Sequence, residues 1–191
     1  AGLVYNPKNE HFYRYVSTLE TWPEARADAT SEAREEKGVR GYLASITSGD
    51  EALFLTNNVT TDTRIWVGGA QVHEGVVGST NSAAVWRWVD APAAEYDLSF
   101  YGDPNSRGGN QTGADASPYY YWCPGEPNND PEPYLAFRWG AGDDAQCWND
   151  WGSAVSDEAG YVIEYSEEPG QSYTGVYTNT TTVSVSHQIT Y

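Results

Sequence analysis

The two cysteines of the chain, Cys123 and Cys147, each lead into a short run of carboxylates and amides, CPGEPNNDPE from Cys123 and CWND from Cys147. Between them these runs supply Glu126, Asn128, Glu132, Asn149 and Asp150. All five offer carboxylate or amide oxygens and none offers a soft donor. Calcium takes roughly six to eight such oxygens, whereas zinc asks for histidine or cysteine. A fold in which the two runs serve one cation must therefore carry two separate loops to a single point. His11, His73 and His187 are scattered without metal-ligand spacing and read as ordinary strand or surface histidines. The absence of an Asp-x-Asp-x-Asp-Gly loop excludes an EF-hand. Pro127 sits between two of the proposed ligands, and an X-Pro bond reaches cis at low cost. A cis bond there turns Glu126 and Asn128 toward one point. Taken alone, the run also reads as a Pro-rich solvated turn; the Trp-Asn-Asp triplet at Trp148 weighs against that.

Regular structure is concentrated in the first hundred residues. HFYRYVST from His11 is rich in aromatic and β-branched residues and predicts a strand. Thr21 to Glu24 forms a capping box with proline in the first turn, and Trp22, Ala25, Ala29 and Ala33 recur at helical spacing until Gly38. A second capping box, Ser48 to Glu51, opens a shorter helix. Strands follow at 64–72 and 84–90, with Trp86 and Trp88 sharing a face, and again at 134–139 and 160–166. The polar stretch 92–121 reads as a long functional loop. The Thr/Val/Ser tail 173–191 reads as an added edge strand or a linker.

With 27 acidic against 10 basic residues the formal charge is −17, which disfavours nucleic acid and anionic membrane surfaces as partners and favours cations. Eight tryptophans and 15 tyrosines in 191 residues without a methionine suit a rigid, loop-rich β structure of the extracellular kind. No run approaches the length of a membrane-spanning helix, so direct membrane insertion is not expected.

The order of signals resembles the C-type lectin-like domain: WPEA at Trp22, GYLASI at Gly41, WVGG at Trp66, WRW at Trp86, GEPNN at Gly125, WND at Trp148 and YVIE at Tyr161. The resemblance implies an α+β fold, two helices flanking antiparallel β-sheets with a long loop region, over residues 1–170. Residues 171–191 are left as an additional C-terminal strand or linker to a following module. It also implies that the Glu-Pro-Asn and Trp-Asn-Asp motifs build a calcium and sugar site, with Glu126, Asn128, Glu132, Asn149 and Asp150 as ligands to both and Pro127 cis. The usual long disulfide is missing, because Ile163 stands where that family has its last cysteine. A Cys123–Cys147 bridge tying the two ligand segments is expected in its place, two free thiols being the other possibility.

In function the resemblance implies a calcium-dependent carbohydrate-binding adhesin domain, non-enzymatic, secreted or at the cell surface, similar to lectin modules of bacterial RTX adhesins. Its partners would be glycans with vicinal hydroxyls of the fucose and mannose class, on host or neighbouring cell surfaces, with no nucleic acid involved. A calcium-stabilised protein-binding or ice-binding variant of the same fold is the alternative. Tyr119, Tyr120, Tyr121 and Trp122 offer rings that stack on a sugar or pack as core. Asp130, Asp143 and Asp144 offer a second cation site or plain solvated charge.

Overall fold

The computed structural model describes residues 2–36, 38–92, 95, 119–128, 131–140, 145–152 and 157–166. Most of the stretch 92–121, the tail 171–191, and Asp130, Asp143 and Asp144 lie outside the described residues. Strands β1 (Val4–Asn6) and β2 (His11–Glu20) are followed by helix α1 (Trp22–Ala29), strand β3 (Tyr42–Leu43) and helix α2 (Gly49–Phe54). Strands β4 (Ile65–His73), β5 (Val76–Val77), β6 (Val85–Trp88), β7 (Tyr134–Phe137), β8 (Trp148–Trp151) and β9 (Ala159–Tyr165) complete the fold.

Among the described residues all nine strands join one sheet with the path β1-β2-β9-β4-β7-β8; β3 pairs with β9, and β5 and β6 pair with β4. Pairings are antiparallel except where β4 meets β9 in parallel at Trp66 and Tyr161. The expected α+β architecture is therefore present, with antiparallel ladders and one parallel contact at the centre.

Side-chain alternation along the central strands sorts the apolar residues into two cores, one on each face. Tyr161, Ile163, Tyr165, Trp66, Tyr134 and Ala136 join Trp22, Ala25 and Ala29 of α1 in the first. Val162, Val67, Leu135 and Phe137 join Trp86, Trp88, Trp122, Trp148 and, under α2, Ala52 and Leu55 in the second. The two helices thus flank the sheet, each sealing one face. Trp22 anchors α1 by donating its indole N–H to Val67 O at 2.8 Å and stacking on Tyr134 at 4.5 Å. The close fit between β3 and β4 depends on Gly68, where a Cβ would sit 2.3 Å from Leu43 O. Gly68→Ala should therefore destabilise the chain by about 2 kcal/mol, the cost of overpacking, read as a lowered urea midpoint at unchanged slope.

Two sequence expectations need correction. Helix α1 ends at Ala29 and does not run on toward Gly38. The Thr30 hydroxyl donates back to Arg26 O at 2.9 Å, and the backbone then tightens into a 3₁₀ turn over Glu32–Arg34, leaving Ala33 off the helix. In α2 the Ser48 hydroxyl does accept from the Glu51 N–H at 3.2 Å. The Glu51 carboxylate, however, does not cap Ser48; it turns inward and accepts from Thr47 N at 2.8 Å. The first capping box is intact, with Thr21 N donating to Glu24 Oε2 at 3.0 Å.

The charge of −17 works against this compact state by self-repulsion. Raising NaCl from low salt to 1 M shrinks the screening length to ~3 Å. Relief of about 1 kcal/mol would raise the melting temperature by ~3 °C for a chain of this size. Identical melting curves at both salt concentrations would show that the acidic surface carries no such cost.

Candidate functional site

Strand β8 carries the Trp-Asn-Asp triplet and lies antiparallel on β7, with Ala136 opposite Asn149 and Leu135 opposite Asp150. The run before Glu126 is zipped to the start of the same strand. Trp148 N donates to Tyr121 O and Cys123 N to Trp148 O, both at 2.8 Å. A Cys123–Cys147 disulfide, with Cα atoms 4.8 Å apart, closes the arrangement, so the expected bridge is present. The next turn uses Gly125 at φ +92°, a conformation an L side chain resists, and Glu126 N donates to Cys123 O at 2.9 Å. The Glu126–Pro127 bond is cis, as expected.

These links gather most of the five residues around Asp150. Its side chain is 1% exposed, and its Oδ1 accepts from Asn128 N at 3.2 Å. Burial pushes its pKa up to about 7; the Asn128 N–H opposes the shift, and the neighbouring carboxylates of Glu126 and Glu132 add to it. Glu126 and Glu132 are half-buried and Asn128 is exposed. Asn149, next along the strand, is buried. Glu126 Oε2 and Asn149 Oδ1 are both shielded from solvent and have no hydrogen-bond partner. Asp150 therefore lies within the field of two further carboxylates, and two buried oxygens, Glu126 Oε2 and Asn149 Oδ1, go unsatisfied. Each feature is costly alone.

The aromatic run divides. Trp122 is 1% exposed and packs edge-on to Trp86 at 5.1 Å and Trp148 at 5.9 Å, so it is core and presents no ring to a ligand. Tyr119, Tyr120 and Tyr121 are half-buried and rest against the same core. The long disulfide of the resemblance has no counterpart: Ile163 is fully buried in the first core, and the chain has no free cysteine.

Among the solved structures it is similar to are the C-type lectin CEL-I from Cucumaria echinata and a Ca²⁺-dependent type II antifreeze protein in its Ca²⁺-free form. The first matches at TM-score 0.54 and 23% identity, covering 83% of this chain and 91% of that one. The second matches at TM-score 0.57 and 16% identity, covering 87% and 98%. The chain has the C-type lectin-like fold. No family model matches it. In sequence it is 31% identical over 157 residues to Halomucin of Haloquadratum walsbyi, which takes in 81% of this chain and 1% of that protein. The chain spans about half the length of the other curated relatives it matches. None of the described helices is long and apolar enough to cross a membrane.

Within this C-type lectin-like fold the sequence reading missed one group of polar residues. Glu51 and Glu164 are 3% and 0% exposed on the α2 face of the sheet, and His11 contacts Glu164 across neighbouring strands. His11 is therefore not the ordinary strand histidine expected. A signal was available: Glu164 stands inside YVIEY, where every other position is apolar and buried. A charge in such a run needs partners.

Proposed function

We propose that Glu126, Asn128, Glu132, Asn149 and Asp150 hold a calcium ion, and that the domain binds glycans with vicinal hydroxyls of the fucose and mannose class through it. The observation that carries this reading is the pair of buried, unpartnered oxygens on Glu126 and Asn149, together with the fields of Glu126 and Glu132 at the buried Asp150 carboxylate. The donor set is all oxygen, of carboxylate and amide type, which suits a hard cation. When bound, calcium supplies coordination positions that two neighbouring sugar hydroxyls can occupy.

The chain's own residues would then set the geometry of the hydroxyl pair. Glu126 and Glu132 accept hydrogen bonds from the hydroxyls, and the Asn128 and Asn149 amides donate to hydroxyl oxygens, so each side chain serves ion and sugar together. The order Glu126-Pro127-Asn128, by its resemblance to the Glu-Pro-Asn type, favours the equatorial diol of mannose and its equivalent in fucose over galactose. A single sugar on so few groups binds weakly, and repeated display supplies avidity. That fits an extracellular adhesin module of the RTX kind, and the disulfide fits an oxidising space. The reading is of a binding domain and assigns no catalytic role.

A glycan array run with calcium and with chelator tests the proposal. Retention of mannose- or fucose-terminated glycans that chelator abolishes is the expected result. A blank array with calcium present would overturn it. The likeness to an antifreeze protein favours a second reading, an ice-binding domain stabilised by calcium, and ice-recrystallisation inhibition with a blank array would establish that one.

A further inference from the structure

Away from the candidate cation site, four parts of the chain meet in a closed polar network on the α2 face of the sheet. From β2, His11 Nδ1 lies 2.5 Å from Glu164 Oε1, and Tyr13 OH donates to Glu51 and, at 3.2 Å, approaches Glu164. Asn9, in the turn before β2, donates to Glu51 Oε1 at 3.0 Å. From the segment between β3 and α2, Ser45 N donates to Glu164 Oε2 at 2.8 Å, and the Ser45 hydroxyl bonds both Glu164 and Glu95. Glu51 of α2 accepts from Thr47 N and Oγ1 at 2.8 and 3.0 Å. His11, Glu95 and Glu164 bring one atom each within 4.8 Å of one another.

Three carboxylates and one imidazole make this network. Tyr42 of β3 and Tyr119 also face it. The exposed pair Lys8–Asp50, 2.8 Å apart, lies at the surface of the same elements. Among the described residues His11 pairs with Glu164, and Glu95 and Glu51 act on it as neighbouring charges. Like charges this close and this buried cannot all be ionised without a large cost. The Tyr13 and Ser45 hydroxyls each face two glutamates with one hydrogen to donate, so a proton held by the network supplies a donor that these hydroxyls lack.

We propose that His11, Glu51, Glu95 and Glu164 form a proton-operated clasp, closed when the network is protonated and loosened as it loses protons, which docks α2 and Glu95 onto strands β2 and β9. Titration runs in the direction this needs. Burial, then the field of Glu164, pushes Glu51 up to about 8 and Glu95 up to about 7. Burial works against the His11 charge, but its bond to Glu164 and the fields of the three glutamates outweigh it and the pKa is raised. Each of these groups binds its proton more tightly folded than unfolded. Their stabilisation is therefore complete below the unfolded values of 4.5 for glutamate and 6.5 for histidine, and is lost as pH rises through the folded ones. The clasp weakens between neutrality and about pH 8. Tyr119, which rests over Gly49 and stacks edge-on against Trp148 at 5.6 Å, would lose the support of α2 when it does.

The test is melting temperature against pH, from about pH 5.5 to 8.5, on the full chain in chelator. The intact chain should lose stability across that range. Glu51→Gln, which mimics the protonated side chain, should flatten the curve and melt higher than the intact chain at the alkaline end. Asp150→Asn, far from the network, should leave that part of the slope in place. Amide exchange in α2, corrected for intrinsic base catalysis, should quicken about tenfold over the same range. A Glu51→Gln curve parallel to that of the intact chain would overturn the proposal, as would a His11 imidazole that titrates at or below its ordinary value by NMR. Millimolar CaCl₂ or ZnCl₂ restoring alkaline stability to the Asp150→Asn chain would also overturn it, by showing that the network takes a metal and not protons.

Discussion

Replacing Asp150 with asparagine should abolish calcium-dependent glycan retention and, with it, the rise in melting temperature that calcium gives the intact chain. At calcium a thousandfold above Kd, linkage stabilises the folded state by about 4 kcal/mol, or ~12 °C for a chain this size. Asparagine keeps the volume and an acceptor for Asn128 N but removes the charge that the ion needs. In chelator the sign reverses. Asp150 is a buried carboxylate beside Glu126 and Glu132, so neutralising it relieves repulsion, and the ion-free variant should be at least as stable as the parent at pH 8. A variant that is less stable in chelator and still gains ~12 °C from calcium would show Asp150 to be a structural residue with no part in a cation site.

The pH dependence of binding follows from the same group. Its pKa of about 7 in the ion-free protein lies above the ordinary 3.8, so the folded state takes up a proton that the unfolded state releases. The contribution of Asp150 to the stability of the ion-free chain is complete below pH 3.8 and is lost as pH rises through about 7. Calcium must displace that proton. Apparent affinity should therefore fall about tenfold per pH unit below 7 and level off above it, by calcium titration monitored calorimetrically. Affinity that holds constant from pH 5 to 8 would place the ion elsewhere.

How much of this was legible in the sequence depends on how far apart the cooperating residues lie. The helix starts were readable because a capping box is a contact between residues three apart. Strand faces at Trp86 and Trp88 were readable because alternation is local. The end of α1 was not, because Ala33 keeps the apolar period while Thr30 and Ser31 divert the backbone; two hydroxyl residues outweighed one more alanine. For Trp122 the sequence left stacking on a sugar and packing as core both open, because its burial depends on Trp86 and Trp148, distant in sequence.

The five oxygen donors were picked out by residue type and motif. The structure draws Glu126, Asn128 and Glu132 toward Asp150, and leaves Asn149 beside them with an unsatisfied carbonyl. The acidic network was legible at Glu164 alone, for the opposite reason. His11, Glu51, Glu95 and Glu164 come from four parts of the chain, no two of them close in sequence, and the sheet order β2-β9 with α2 packed across it brings His11, Glu51 and Glu164 together. Glu51 had a sufficient local explanation as a capping residue, and that explanation concealed the tertiary one.

Cutting the Cys123–Cys147 bridge, by Cys→Ala at both positions, should both destabilise the chain and weaken calcium binding. The bridge spans 24 residues of sequence, and releasing a loop of that size from the unfolded-state constraint costs about 3 kcal/mol on the chain-entropy model. Cys123 stands three residues before Glu126, and Cys147 two before Asn149, so the same bond also limits how far the two donor segments separate without an ion. If the carboxylates repel one another as Asp150 indicates, the ion-free site tends to open, and the bridge opposes that. Gathering the segments would then fall to the ion itself, and Kd should rise about tenfold, equivalent to about 1.4 kcal/mol. The two effects separate experimentally, since the first appears as a lower urea midpoint in chelator and the second as a weaker calcium isotherm at temperatures where the variant is fully folded. A stability loss with Kd unchanged would assign the positioning of Glu126 and Asn149 to the backbone bonds between Tyr121, Cys123 and Trp148 alone, and leave the disulfide as a staple without a part in the site.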